Sequence, residues 1–109
     1  MPIYMSQFSY TPEAWAALAR QPEDRSEAIG GQLESLGGQL ISFYYSFGDY
    51  DGVIIAEAPD ETTIATALVA AVAAGHLKTL KTTTLLSAED GMEVLRRAGE
   101  ITYRRPGAQ

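Results

Sequence analysis

Four short segments of the chain are rich in aromatic and other β-favouring residues, which predicts four β-strands. The third segment, VIIAEA, is apolar on both sides except at Glu57. Such a pattern is typical of an inner strand that is covered on both faces. The predicted strands are Ile3–Tyr10, Gln39–Phe47, Val53–Ala58 and His76–Leu86.

Apolar residues recur at steps of three and four between and after the strands, which predicts helices. Thr11, Asp60 and Ser87 each precede such a segment and can cap its free backbone N–H groups. A second helical segment, from Pro22 to Leu36, follows the first, and the helix after Ser87 is short. The glycine pair at 37 and 38 ends the second segment, with the first glycine in a left-handed cap.

The order of these elements, β-α-β-β-α-β-α, predicts an α+β fold. Two split βαβ units give a ferredoxin-like, four-stranded antiparallel sheet with its helices on one face. Residues 1–99 form this single domain, and residues 100–109 form a C-terminal tail. The other face of the sheet is apolar and lacks a helix, so two sheets are expected to pack face to face across a two-fold axis. The expected partner is therefore a second copy of the chain, in a homodimer or a higher homo-oligomer.

The composition narrows the function classes. The chain has 109 residues, no cysteine and a net charge of −6. The lack of cysteine excludes disulfides, thiolate metal sites and a cysteine nucleophile, and the acidic balance argues against nucleic-acid binding. The longest apolar run, residues 67–75, is too short to span a bilayer, and the first ten residues lack the pattern of a secretory signal. A cytoplasmic protein without a membrane partner is expected.

The charge is unevenly distributed along the chain. Residues 1–77 carry a net charge of −8, and residues 78–109 carry +2. This asymmetry is compatible with a solvated face followed by a basic tail, or with charge pairing between subunits.

The loop between the second and third strands has the sequence GDYDG, residues 48–52. Glycine and aspartate suit a hairpin loop, because they accept positive φ and bond to nearby backbone groups. In its context the loop also resembles the GYD domain family, whose signature is Gly-x-Tyr-Asp. Gly48, Tyr50 and Asp51 match that signature, and an apolar strand and an Ala-Pro-Asp exit follow. The resemblance covers residues 3–87.

The resemblance implies a ferredoxin-like fold of the dimeric α+β barrel type. The family is largely uncharacterised, so the resemblance transfers no catalytic residue, and fold alone does not imply function.

Three ionisable residues are candidates for acid–base catalysis. Asp51 can act as a base beside a phenol, or it can simply bond loop N–H groups. Glu57 shares a strand face with Val53 and Ile55, where a carboxylate in an apolar cavity would have a raised pKa; alternatively it is half-exposed at the strand end. His76, the only histidine, is a candidate base, haem ligand or metal ligand, or a residue that faces the C-terminal dipole of a helix.

Five further residues are candidates for ligand binding. Aromatic rings on a sheet can line a pocket, although they more often belong to a core or an interface. An arginine early in the second helical segment can bind an anion or pair with nearby acids. No spaced metal-ligand motif or phosphate-binding loop is present, so neither a metal site nor a cofactor is expected. The candidates are Tyr4, Tyr44, Tyr45, Tyr50 and Arg25.

Two main hypotheses follow for function; a third possibility, one part of a hetero-complex, would show as an exposed apolar sheet in the isolated chain. In the first, a small homo-oligomeric protein binds a small, partly apolar molecule in or beside a sheet-lined cavity, with acid–base chemistry as an added option. In the second, the chain is a non-enzymatic oligomerisation or regulatory module without a ligand pocket. A pocket that contains an ionisable candidate distinguishes the first from the second.

Overall fold

Four antiparallel strands form one sheet, in the spatial order β2-β3-β1-β4. This is the ferredoxin-like order that the sequence predicts, and the α+β fold class is confirmed. The coordinates are a computed structural model that describes residues 1–107, so the last two residues of the predicted tail lie outside the described part. The elements are β1 (Ile3–Tyr10), α1 (Pro12–Arg20), α2 (Arg25–Ser35), β2 (Gln39–Tyr45), β3 (Gly52–Glu57), α3 (Glu61–Ala73), β4 (Leu77–Leu85) and α4 (Ala88–Gly99).

Two element boundaries differ from the prediction by more than one residue, and a local hydrogen bond accounts for each. β2 ends at Tyr45 rather than Phe47, since the Ser46 N–H donates to the Asp51 carbonyl at 2.8 Å. α2 begins at Arg25 rather than Pro22, since the Asp24 carboxylate caps it and accepts from the Ser26 N–H at 2.9 Å.

The core lies between the sheet and the helices α1, α2 and α3. Alternate residues of β1 and β3 point into it, and Leu33 of α2 is only 1% exposed. Gly37 ends α2 with φ of +86°, which confirms the predicted left-handed cap. The buried strand residues on this side are Tyr4, Ser6, Phe8, Tyr10, Gly52, Ile54 and Ala56.

The opposite side of the sheet, here called the open face, carries the other strand residues. Its centre is apolar, because Met5 pairs with Ile55 and Ile3 pairs with Leu85 across neighbouring strands. These four side chains are half-buried in the single chain. Within residues 1–107, α4 buries none of its residues, so it does not cover the open face.

The cap of α3 gives one pH-dependent prediction. The Asp60 carboxylate accepts from the N–H and the hydroxyl of Thr63, at 2.8 and 2.7 Å. These hydrogen bonds lower the pKa of Asp60 below its ordinary value. The unfolded chain therefore binds the proton more readily than the folded chain, so this contribution to stability is present above the ordinary pKa and is lost as pH falls through the folded pKa.

Asp60→Ser should make the unfolding free energy less dependent on pH on the acid side, because serine caps a helix without titrating. Urea unfolding midpoints of both proteins at about pH 3 and about pH 6 measure this difference. An equal loss of stability in the two proteins on acidification would contradict it.

Candidate functional site

The GDYD loop is held in place by the Asp51 side chain. One carboxylate oxygen, Oδ2, accepts from the Tyr10 N–H at 2.9 Å and from the Trp15 Nε1–H at 3.2 Å. The Asp51 N–H donates to the Phe8 carbonyl at 2.8 Å. Asp51 thus joins the β2–β3 loop to the end of β1 and to α1, as in the hairpin interpretation of the sequence.

Five aromatic rings form a continuous cluster beside this loop. The ring centroids of Tyr10 and Trp15 are 5.0 Å apart, and those of Phe8 and Tyr10 are 5.3 Å apart, both edge to face. Phe43 and Tyr45 of β2 complete the cluster, with centroids 5.2 Å apart. Edge-to-face contacts of this kind favour a fixed arrangement of rings.

Asp51→Ala should lower the unfolding free energy by about 1–2 kcal/mol, because the half-buried Tyr10 N–H and the Trp15 indole lose their acceptor. Asp49→Ala is the matched control, since Asp49 is an exposed residue of the same loop. Urea unfolding followed by circular dichroism measures both variants. Equal stability of the two variants would show that the Asp51 contacts contribute nothing.

A cleft of about 350 Å³ lies between α1, the start of α2 and the end of α3. It is here called the outer cleft. Small and apolar side chains of α1 form one wall, and Tyr10 and His76 form another. Its lining residues are Tyr10, Ala14, Ala17, Leu18, Gln21, Pro22, Glu23, Arg25 and His76.

A smaller cavity of about 40 Å³, here called the inner cavity, lies deeper between α2, α3 and the sheet. Its walls are mostly apolar and include Phe8, Ile29 and Phe43. Tyr10, Arg25 and His76 line both spaces, so the two meet at these side chains. The result is an apolar recess beneath a polar entrance.

Two basic side chains lie at this entrance. The Arg25 side chain is three-quarters buried, with Nη1 3.6 Å from the Glu23 carboxylate, which is more exposed. His76 closely follows α3, and its carbonyl accepts from the Thr11 N–H at 3.1 Å. The Thr11 hydroxyl also donates to the Gly75 carbonyl at 2.8 Å, so the end of α3 is tied to the start of α1.

Tyr10 adds a phenol to the same place. Burial raises the pKa of the Tyr10 hydroxyl well above its ordinary value, the neighbouring Tyr45 raises it further, and the Arg25 guanidinium partly offsets both effects. The phenol therefore stays protonated at neutral pH and is a hydrogen-bond donor.

The structure brings two of the predicted site residues, Arg25 and His76, into one place. Neither Asp51 nor Glu57 lines the outer cleft or the inner cavity. The Asp51 carboxylate is bound to β1 and α1, and Glu57 lies half-buried on the open face, where it pairs with Ile3.

The predicted tyrosines are dispersed over the sheet. Tyr4 is buried and borders a separate groove between α3 and β4. Tyr44 lies on the open face and is 65% exposed, whereas Tyr45 belongs to the aromatic cluster. Tyr50 lies in the loop, where its carbonyl accepts from the Ser46 hydroxyl.

Sequence reasoning missed two residues of this region, Tyr10 and Trp15. Tyr10 is the last of the alternating buried positions of β1, and this places it at the mouth of the core. The alternation of inward-facing positions along β1 was the sequence signal that could have identified Tyr10. The contact of Trp15 with Asp51 joins residues 36 positions apart and leaves no pattern in the sequence.

Metal-binding clusters and membrane-spanning helices are both absent from residues 1–107. These residues contain no group of three or more histidine, aspartate or glutamate side chains arranged to hold a metal ion. No helix in this part of the chain has both the length and the apolar character needed to cross a membrane.

Comparisons with known proteins agree with this architecture. A family model described as GYD domain matches residues 4–95. The solved structure of TTHA0845 from Thermus thermophilus superposes with a TM-score of 0.51 at 16% identity and covers 81% of this chain and 96% of that chain. At this identity the likeness concerns the fold alone. No curated protein matches the sequence.

Two further solved structures are similar at lower scores. A NIPSNAP-like domain protein from Burkholderia xenovorans has a TM-score of 0.42 at 16% identity, with 79% of this chain and 84% of that chain covered. A transcriptional regulator from Neisseria meningitidis, in complex with L-Met, has a TM-score of 0.49 at 14% identity, with 80% of this chain covered. The chain covers 51% of that regulator, about half of its length.

Proposed function

The chain belongs to the GYD domain family, and on that premise we propose that it binds a small, partly apolar anion at the meeting point of the outer cleft and the inner cavity. The observation that carries this proposal is the convergence of Arg25, His76 and Tyr10 above an apolar recess. Ligand sites are commonly apolar concave spaces with a few convergent polar groups.

The entrance suits a carboxylate or a similar planar anion. Arg25 is always charged, and its fork of N–H donors matches two carboxylate oxygens. Its Glu23 partner is 58% exposed and can turn into water when a ligand carboxylate arrives. The Tyr10 hydroxyl, protonated at neutral pH, supplies a further donor.

The inner cavity limits the apolar part of the ligand. Its volume of about 40 Å³ accommodates a short alkyl group or the edge of a ring. The outer cleft of about 350 Å³ is at the lower end of the range of ligand sites, which is about 300–1,000 Å³. A compact monoanion with an aromatic or short alkyl portion therefore fits better than a nucleotide.

Acid–base chemistry in this cleft would depend on His76. It is the only one of the three predicted catalytic residues that lines the cleft, and an imidazole has both a donor and an acceptor nitrogen. Asp51 and Glu57 stay hypotheses without a place in this site. Ligand binding is thus the function that the geometry favours, and catalysis is an extension of it.

Trp15, the only tryptophan, gives a direct test of binding because its ring contacts Tyr10. We expect benzoate, phenylacetate and hexanoate to change its fluorescence in a saturable manner. The matched amides should bind at least about tenfold more weakly, since they lack the charge that Arg25 pairs with. Equal responses to acids and amides, or no saturable response, would contradict the proposal.

We also propose that the open face pairs with the same face of a second copy. The solvent-exposed face of an antiparallel sheet normally carries polar residues. Here the central strands instead present Ile3, Met5, Val53 and Ile55 on that face. Polar residues such as Gln7 and Lys81 flank this apolar centre, as in an interface with a polar rim. Should ligand tests fail while this pairing holds, the oligomerisation-module hypothesis becomes the better one.

The absence of cysteine allows a specific test of this pairing. Met5→Cys should form an intermolecular disulfide on mild oxidation. Adding Ile55→Lys should lower the yield at least about tenfold, because it places an unpaired charge in the apolar contact. Ala73→Lys, on the exposed end of α3, is the matched control and should leave the yield unchanged. Equal yields with both lysines would contradict face-to-face pairing.

A further inference from the structure

α4 presents an apolar stripe to solvent. Within residues 1–107 none of its residues is buried, and Met92, Val94 and Leu95 are 58%, 51% and 67% exposed. At 100° per residue the apolar and small residues fall on one side and the charged residues on the other. The stripe consists of Ala88, Gly91, Met92, Val94, Leu95, Ala98 and Gly99.

Such a helix needs a surface to remain ordered. A 12-residue helix is marginal in water by itself, and glycines at 91 and 99 reduce its propensity further. The Ser87 hydroxyl caps its start by accepting from the Asp90 N–H at 3.0 Å, but a cap alone does not hold a helix. Ile101 and Tyr103 extend the exposed apolar surface beyond its end.

The order of charges along α4 is complementary to that of a second, antiparallel copy of the same helix. The first half carries acids, Glu89, Asp90 and Glu93, and the second half carries Arg96 and Arg97. In the single chain all of these side chains are exposed, and Arg96 bonds to Glu93 of the same helix. Two copies placed antiparallel bring the acidic half of each against the basic half of the other, which is favourable, whereas a parallel pair places like charges together.

We propose that α4 pairs antiparallel with α4 of a second copy of this chain. The pairing is isologous about a two-fold axis, so the same stripe serves both copies. With the helices in full overlap, Met92 lies against the partner's Leu95. The small residues Gly91 and Ala98 let the two backbones approach closely. The surface is separate from both the cleft and the open face, so this pairing requires neither.

Single cysteines in the cysteine-free chain test the geometry. Met92→Cys and Leu95→Cys, mixed in equal amounts and oxidised mildly, should form the mixed disulfide at least about fivefold more often than either self-disulfide; mass spectrometry separates the three products. Glu93→Cys, on the charged side, should crosslink poorly and is the control. Preferential self-disulfides of Leu95→Cys would indicate a parallel pair, and no crosslink above that control would indicate that α4 docks elsewhere. Either result overturns the proposal.

Charge exchange, made in the Met92→Cys and Leu95→Cys proteins, tests the partner by a second criterion. Glu89→Lys with Asp90→Lys makes both ends of the helix basic and leaves Glu93 between them, and Arg96→Glu with Arg97→Glu makes the helix acidic throughout. The yield of the α4 crosslink should fall at least about tenfold in each double variant alone, and a mixture of the two variants should restore the yield. Circular dichroism confirms that each variant is folded. Full crosslinking of the separate variants, or no recovery in the mixture, would overturn the proposal.

Discussion

Arg25→Met weakens binding of the carboxylate that binds best among benzoate, phenylacetate and hexanoate by about 10- to 100-fold. The reason is the loss of a charge-assisted hydrogen bond of about 1.5–3 kcal/mol. Methionine keeps much of the length of the side chain and its apolar stem, so the wall of the cleft is retained. The matched amide should bind the variant and the wild-type protein equally well. Titration of Trp15 fluorescence gives both affinities.

Arg20→Met is the control for this effect. Arg20 is an exposed residue in the last turn of α1, outside the lining of the cleft, and carries the same charge. A general effect of net charge on anion binding would weaken binding similarly in both variants. That result would show that Arg25 does not contact the ligand. A loss of affinity in Arg25→Met alone supports its role in anion binding.

Gly52→Ala lowers the unfolding free energy by about 2–3 kcal/mol or more, because the added methyl group overlaps the Phe8 ring. A Cβ atom at position 52 would lie 2.4 Å from Cζ of Phe8 and 3.0 Å from both Cε atoms. The ring has little freedom to withdraw, since Phe8 is 5% exposed and contacts both Tyr10 and Phe43. Urea unfolding measures the loss.

Gly48→Ala is the matched control in the same loop, because no atom lies within 4 Å of a Cβ atom at that position. Phe8→Leu combined with Gly52→Ala should recover part of the stability that the alanine removes from the wild-type protein. Additive losses in this double variant would mean that the overlap with the ring is not the cause.

The glycine after the Gly-x-Tyr-Asp signature therefore has a physical role in this chain. Asp51 fixes the loop on β1 and α1, and Gly52 leaves space for the aromatic cluster. Both contacts hold Tyr10 in place, and Tyr10 in turn borders the cleft. The signature thus fixes the position of Tyr10 at the candidate site and does not itself supply the polar groups of the site.

Local signals in the sequence predicted much of the fold correctly. Thr11, Asp60 and Ser87 were expected to cap helices, and each side chain accepts a backbone N–H at the predicted helix start. Period-two alternation placed Val53, Ile55 and Glu57 on a common strand face, and all three are half-buried on the open face. These predictions depend on neighbouring residues alone, which is why they are confirmed.

The candidate site was predicted only in part, because it depends on how distant elements pack. Arg25 and His76 were identified by residue type, but their proximity results from α2 and α3 meeting over β1. The alternation along β3 did not indicate which face of the sheet the helices would cover. Glu57 consequently remained a cavity candidate, although its face is the open one.

The central claim is that small carboxylates bind where the outer cleft meets the inner cavity, and an NMR titration tests it most directly. Amide and imidazole resonances of the ¹⁵N-labelled protein are followed while phenylacetate is added. The account predicts saturable shifts centred on Arg25, Tyr10 and the His76 ring, with Glu57 on the open face unaffected. Shifts confined to the open face or to α4, or no saturable shift at any concentration of phenylacetate, would contradict it.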